Sequence, residues 1–516
     1  MSTIRLLSII TLIGNPALAQ TKNDFSGPAE VQSWFSSEFH PADSRWYTDP
    51  WGETDPEWAY RLSPQPPVRL THLSDFDGAT ISVDPSGTFQ TLTGIGTSFD
   101  ETSCFAIQKG KTDAQIKVLL KSLIDPQTGA GYSLFRICFG TSDFSDARSV
   151  SKHPEGWYTY QDDPNGSFSI ENDRKLGIIR VIKLAQEVAK ESGVEMRFVA
   201  TAWSSPAWMK TGGRLASGDS VTNQIRKDML DDYAVYLRKA VEAYGALGIP
   251  IFAVTTNNEH YYTPEKYPGC FISAEDEAVL VRELQREFQG HQIETQIWIH
   301  DHNWDLIATG PVVALKALKA AGKYAAADAV AFHHYAGTPA DMSKFHDLFP
   351  DKDLQFTEGS VWGVGGAEEI VQILRHWSRS YLSWVPMSTQ TPTEHNQGPY
   401  NTTATFGPTL LIQRDGEGSD YYRTPEYFLL AQFSRFLRSG ALRIESNDTT
   451  DAKLPNVAFR NPDGSIAVVV VNRAEKPQAL RVVLADRQFV ATVPAITVAT
   501  FALRDDENAS QSKPPS

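Results

Sequence analysis

Residues 250–262 read PIFAVTTNNEHYY. The stretch opens as an apolar, β-branched run, Ile251 to Val254. It ends in Asn257, Asn258, Glu259 and His260, with Tyr261 and Tyr262 behind. A carboxylate and two amides at the tip of a buried strand are costly unless paired or solvated. A parallel barrel, however, carries its chemistry at its strand ends. The remaining sequence decides between a solvated strand tip and a catalytic one.

Apolar runs of the same kind recur at 92–99, 132–140, 196–203, 295–301, 329–335, 354–359 and 381–386. Between them lie stretches of helical period, such as DDYAVYLRKAVEAYGAL and ISAEDEAVLVRELQREF, each apolar at i, i+3, i+4. Eight strands joined by amphipathic crossovers predict an α/β chain with a (β/α)8 TIM barrel over 92–440. YFLLAQFSRFLRS reads as its last helix. Over 441–504 the texture shifts to short alternating strands, which predicts an all-β sandwich side domain. GATISVDP, within an N-terminal segment 20–91, is expected to join that sheet.

Residues 1–19 read as a signal peptide: Arg5, the apolar LLSIITLIG, then a small-x-small ALA before Gln20. The run is too short for a stable membrane span. A secreted or periplasmic chain with no integral span is the expectation. The polar tail 505–516 is expected to be disordered. A net charge of −15 without a Lys/Arg-rich block excludes the electrostatics of nucleic-acid binding. Three cysteines make no disulfide framework, and Cys138, inside an apolar run, reads as a buried thiol.

The strand ends carry the function. The second strand bears Arg136 and leads to Asp143; the third ends at Trp203; the fourth at Asn258 and Glu259. The fifth gives His300, Asp301 and His302, the sixth His333, His334 and Tyr335, the seventh Glu358 and the eighth Trp384. A lone strand-end Glu is more often a solvated or salt-bridged group. Glu259 and Glu358 differ in that they sit on strands nearly opposite each other, with amides and aromatics around them. Two opposed carboxyls are what glycoside hydrolysis requires. On this reading Tyr335 and Arg136 keep Glu358 ionised, and Asn258 binds a sugar hydroxyl. A rival reading takes the histidines as ligands of a barrel metallohydrolase. Strict alternation lets only some of them face the centre, and the His-x-His stands on the fifth strand, not the first. No G-x-S-x-G elbow supports a serine nucleophile. A catalytically silent carbohydrate-binding protein is the alternative outside enzymology.

Several motifs in order resemble the family 30 glycoside hydrolases, the group containing lysosomal glucosylceramidase, bacterial β-xylosidases and endo-β-1,6-glucanases. They are GIGTSFDETS, RICFGTSDFS, WSSPAWMKTGG, TTNNEH, AFHHY and FTEGS. The resemblance implies Glu259 as acid/base and Glu358 as nucleophile of a retaining β-glycosidase. It implies Asp143, Trp203, Asn258 and Trp384 as substrate contacts, and Arg136, His333 and Tyr335 as supports of the nucleophile. It implies a carbohydrate or glycolipid substrate and no metal or organic cofactor. Two departures stand out. His260 replaces the usual Pro after the acid/base, and the segment WVPMSTQTPTEHNQGP lacks the Asn that glucosylceramidases place beside Trp384.

Overall fold

A computed structural model describes residues 30–38, 59–153, 155–390, 409–414 and 420–503. The signal-peptide reading at 1–19 and the tail at 505–516 lie outside these residues.

Eight parallel strands form the catalytic barrel: Gly94–Phe99, Leu134–Cys138, Arg197–Thr201, Ile251–Thr255, Gln296–Asn303, Ala329–His333, Asp353–Glu358 and Ser380–Leu382. They are called strands one to eight below. Pairing runs in sequence from one to seven, and eight pairs with one. The seam between seven and eight closes through Arg379 N to Leu354 O (2.8 Å) and Trp384 N to Gly359 O (2.7 Å). Strand eight is shorter than the sequence suggests, so Trp384 sits just past its end. Gly96 is required where strand one meets strand two: a Cβ there would fall 1.8 Å from Leu134 O.

Inside the barrel the side chains stack in layers, as strand alternation dictates. Leu134, Val199, Ala253, Trp298, Ala331 and Leu382 form an apolar layer. Two residues further along the same strands come Arg136, Thr201, Thr255 and His333, all fully buried and all polar. The barrel interior therefore changes from oil to hydrogen bonds over one step of the pleat.

The second body is a ten-stranded sheet that takes strands from both ends of the chain. Glu30–Ser37 pairs with Thr497–Leu503, and Ala79–Thr91 lies between Leu442–Ser446 and Gln478–Leu484. The expected junction of 78–85 with the C-terminal sheet is thus present. The strand Arg61–Arg69 carries three prolines and sits near the sheet's end, on the outer side of Glu30–Ser37. That is where a residue without a backbone N–H does least harm.

The run Ile466–Asn472 is buried along its whole length. Ile466, Val468 and Val470 face the sandwich core, while Ala467, Val469 and Val471 pack into the barrel's apolar cluster. The helix Pro425–Ser434 is buried on every side, which is why it shows no amphipathic stripe. It is wedged against Glu30–Ser37 on one side and the barrel on the other. Cys104, Cys138 and Cys270 are free and buried.

The long connection after strand two is pinned by one acid. Asp173 accepts hydrogen bonds from the hydroxyls of Tyr158, Tyr160 and Tyr244, each at 2.5 Å. Burial nevertheless dominates and lifts its pKa to about 6. Replacing Asp173 by Ala would take the shared acceptor from three buried hydroxyls and leave that of Tyr158 without a partner, at about 1–3 kcal/mol of desolvation per unsatisfied group. We expect Asp173→Ala to lower the chemical-denaturation midpoint by the equivalent of at least about 2 kcal/mol, and Asp173→Asn to cost less. An unchanged midpoint in Asp173→Ala would show that this knot does not hold the connection.

Candidate active site

The site is built on a register break. Between strands five and six, Ala331 pairs with His300 but Phe332 pairs with His302, so Asp301 is an extra residue bulged out of the ladder. His300 and Asp301 both adopt positive φ (76° and 48°). A bulge re-aims side chains, and here it turns Asp301 into the barrel. Its Oδ2 accepts from Arg136 Nη2 (2.8 Å), Thr201 (3.0 Å) and Thr255 (2.8 Å). Its Oδ1 accepts from Thr357 (2.6 Å) and faces His333 Nε2 at 3.1 Å. Burial opposes the charge, yet Arg136, His333 and Thr357 outweigh it and hold the Asp301 carboxyl well below the usual carboxylate range.

Arg136 distributes that anchoring upward. Its Nη1 pairs with Glu358 Oε2, and its Nη2 also donates to Asn258 Oδ1 (2.7 Å). The guanidinium lies under the faces of Trp203 and Trp384, at 4.8 and 5.7 Å from their centroids. The two indoles stack on each other at 5.0 Å. With Cys138, Phe144 and Val385 they form a small apolar cluster against which Tyr267 packs. One fixed cation thus sets the nucleophile candidate, the Asn258 amide and two indole rings. Glu358 has a second partner, the Tyr335 hydroxyl at 2.8 Å. Burial, with Glu358 next to it, keeps that hydroxyl protonated as a donor. The rest of Tyr335 is exposed.

Glu259 stands at the tip of strand four with φ 43°, held by its N–H on Asp301 O at 3.0 Å. Left-handed backbone on a non-glycine residue is a strained arrangement that tends to occur at functional sites. Its Oε1 lies 3.0 Å from His333 Nδ1. Burial raises the Glu259 pKa, the His333 contact tempers the rise, and the Glu358 charge adds to it. Oxygens of Glu259 and Glu358 and a ring nitrogen of His333 all lie within 4.8 Å of one another.

His333 sits between two acids, Glu259 and Asp301, with Glu358 close by. Its nitrogens face Glu259 and Asp301, while Glu358 is 4.0 Å away. Burial would depress the imidazolium, but Glu358, Asp301 and Glu259 together lift its pKa to about 9. Asp143 is brought to the same space. Burial, then the Glu358 and Glu259 charges, push its carboxyl well above the usual range, and its Oδ1 is buried without a protein partner.

The histidines of the rival metal reading separate. His300 Nε2 lies 3.0 Å from Asn303 O, and His302 Nδ1 accepts from Asn303 N. His334 pairs with Glu369 at 2.7 Å. Among the described residues the one group of three or more with metal-ligand spacing is Glu259, His333 and Glu358. A charged imidazole has no lone pair to offer, and Arg136 already supplies the cation, so this group fits a bound ion poorly.

Sequence reading placed Asp301 at a strand end without a role. Strict alternation points it away from the centre, and only the bulge reverses that. Tyr267, in the loop after strand four, was not anticipated. It packs against the Trp203–Trp384 cluster, and burial with the Asp143 and Glu259 charges raises the pKa of its hydroxyl.

The Glycosyl hydrolase family 30 TIM-barrel domain matches residues 92–437, and the family's beta sandwich domain matches 440–501. The chain belongs to glycosyl hydrolase family 30. It is therefore a glycoside hydrolase acting on carbohydrate. This family 30 chain is 28% identical over 439 residues to an endo-1,6-beta-D-glucanase of Neurospora crassa, covering 80% of this chain and 86% of that one. It is 27% identical over 456 residues to the lysosomal acid glucosylceramidase of Mus musculus, covering 83% and 84%. Its fold matches that of SrfJ from Salmonella typhimurium with a TM-score of 0.77 at 22% identity, over 92% of this chain and 99% of that one.

The Glu358 charge is the largest of those raising His333. In Glu358→Gln the His333 pKa should fall by about one to three pH units, since an opposite charge within about 4–6 Å contributes that much. Ring-nitrogen NMR titration of His333 reads this directly. A value still near that of the intact protein would disprove the coupling.

Proposed function

We propose that this family 30 hydrolase is an exported, retaining β-glycosidase with Glu358 as nucleophile and Glu259 as acid/base. The observation that carries the reading is the pair itself: two carboxyls from strands four and seven with oxygens within 4.8 Å. Retaining enzymes need the carboxyl groups about 5–5.5 Å apart, whereas inverting enzymes leave room for a water between them at about 6.5–9.5 Å.

The environments divide the labour. Glu358 is paired with Arg136 and receives a hydrogen bond from Tyr335, which suits an ionised nucleophile. Glu259 has a raised pKa, which suits a proton donor. In the first step Glu358 attacks the anomeric carbon, the glycosidic C–O bond breaks, and the Glu259 proton passes to the leaving oxygen. The imidazolium of His333 then faces the newly formed Glu259 carboxylate. Esterification removes the Glu358 charge, so one of the influences raising Glu259 disappears. Glu259 is then more readily kept as the carboxylate, the form that can take a proton from the water that cleaves the ester. The same switch follows from microscopic reversibility.

Arg136, through Asn258 and the two indoles, supports one sugar-binding wall, and Asp143 offers an unpaired oxygen for a sugar hydroxyl. The activities named for the relatives favour β-linked glucosides, with a β-1,6-glucan first and glucosylceramide second. No helix among the described residues is long and apolar enough to cross a membrane. The leader-like residues 1–19 support export.

Product anomers of β-1,6-gluco-oligosaccharide hydrolysis, followed by proton NMR, should appear first as the β form. Early α product would indicate inversion. In Glu358→Ala, azide should restore turnover of an activated aryl β-glucoside and yield the α-glycosyl azide, because it attacks from the vacated face. A chelator should leave the intact enzyme's rate unchanged. Loss to chelator and recovery with Zn²⁺ would favour the metallohydrolase instead. Turnover of glucosylceramide but not of the glucan would reassign the substrate without touching the mechanism.

A further inference from the structure

His260 and Glu277 lie behind Glu259, outside the set of groups that would meet substrate. His260 follows Glu259 directly and is fully buried. It is tied to the far end of the same loop in both directions: Ile272 N donates to His260 O (2.9 Å), and His260 Nδ1 lies 2.7 Å from Ile272 O. The second ring nitrogen is 3.2 Å from Glu277 Oε1. The angle there falls short of a hydrogen bond, so the attraction is one of charge. A carbonyl can only accept, and a carboxylate attracts a proton. Neither nitrogen therefore has a donor facing it, and the ring keeps both protons.

Glu277 is a buried acid on the helix Ala274–His291. The same Oε1 accepts from Thr256 Oγ1 (2.6 Å) and from His300 N (2.8 Å). One oxygen thus touches the end of strand four, the residue after Glu259, and the first residue of the bulge that turns Asp301 inward. Those are the segments with positive φ at Glu259, His300 and Asp301.

We propose that His260 and Glu277 form a charged strap that positions the acid/base, holding the strained backbone of Glu259 against the Asp301 bulge. This rests on the reading of Glu259 as acid/base. His260 stands where the family pattern resembled by this sequence has Pro. Other titratable groups facing it are Tyr261, His300 and Asp301. Burial and the adjacent His260 charge bring His300 down to about 4, so His300 is neutral beside the pair. Burial opposes the Glu277 charge, but His260, His300 N and Thr256 overcome it and bring its pKa to about 2.

A strap for the acid/base affects chiefly the step that needs a proton. General acid catalysis contributes about 10²–10⁴-fold, and mainly for poor leaving groups. The test compares kcat/KM of Glu277→Gln on two β-glucosides, one with an activated dinitrophenyl leaving group and one with an alkyl leaving group. The alkyl substrate should lose at least about tenfold more than the activated one, through kcat and not KM. The basic limb of the pH–rate profile should move as well. Glu277→Asp, which keeps the charge, should recover part of the ratio. Equal losses on both substrates with an unmoved basic limb would overturn the strap as a positioning device, leaving a structural role. Should Glu277→Gln fail to fold, the Glu277→Asp and His260→Gln enzymes carry the same ratio test. An intact enzyme inactive on both glucosides would instead refute the underlying functional reading.

Discussion

The carboxylate of Asp301 is the constraint on which the site depends. It lies at the barrel axis with five donors on its two oxygens. Its charge makes a buried Arg136 and a charged, buried His333 tolerable. Those two cations reach the two carboxyls that would do the chemistry, Glu358 and Glu259. Without the Asp301 anion the buried cations would lose a counter-charge, a change of about 3–5 kcal/mol for a broken buried pair. The arrangement is also balanced: with Glu259 protonated, Arg136 and His333 face Asp301 and Glu358. The proposed roles, proton donor for Glu259 and nucleophile for Glu358, are compatible with that charge count.

The fold supplies this at the place where the barrel interior changes character. Below the site, Leu134, Val199, Ala253 and Trp298 close the barrel with apolar packing. Above that layer, threonines on strands three, four and seven present hydroxyls to a single acid. The sandwich reaches the site only indirectly. Its strand Ile466–Asn472 and the buried helix Pro425–Ser434 pack on the outside of the barrel, holding the strands that carry the site.

Much of this was legible in the sequence, and the rest was hidden for identifiable reasons. Eight apolar runs separated by helical periods gave the barrel, because burial on both faces leaves an unbroken apolar signature. Glu259 and Glu358 stood out because polar residues at the end of such runs need a reason. The role of Asp301 was hidden, since alternation predicts the opposite orientation and a one-residue bulge leaves no mark in composition. The contact of His333 with Glu259 depends on the same bulge. Glu277 was hidden inside a helix that also carries Glu275, Asp276, Glu283 and Glu287, where the sequence does not tell the fully buried acid from its neighbours. The strand Arg61–Arg69 was masked by its prolines, which position at the sheet's end permits. The sequence after strand eight departs from the pattern of the resemblance, so it gave no reading of the sugar or the aglycone.

The central claim is that Glu358 forms a covalent bond to the anomeric carbon, and trapping that bond tests it most directly. A 2-deoxy-2-fluoro-β-glucoside with a dinitrophenyl leaving group slows both steps but lets the activated first step proceed. The intact enzyme should gain the mass of one fluoroglucosyl group, and peptide mapping should place it on Glu358. Prior incubation with a competing β-glucoside should protect against labelling. A label on Glu259, on Asp301 or on no carboxylate at all, in an enzyme that turns over the parent β-glucoside, would contradict the account.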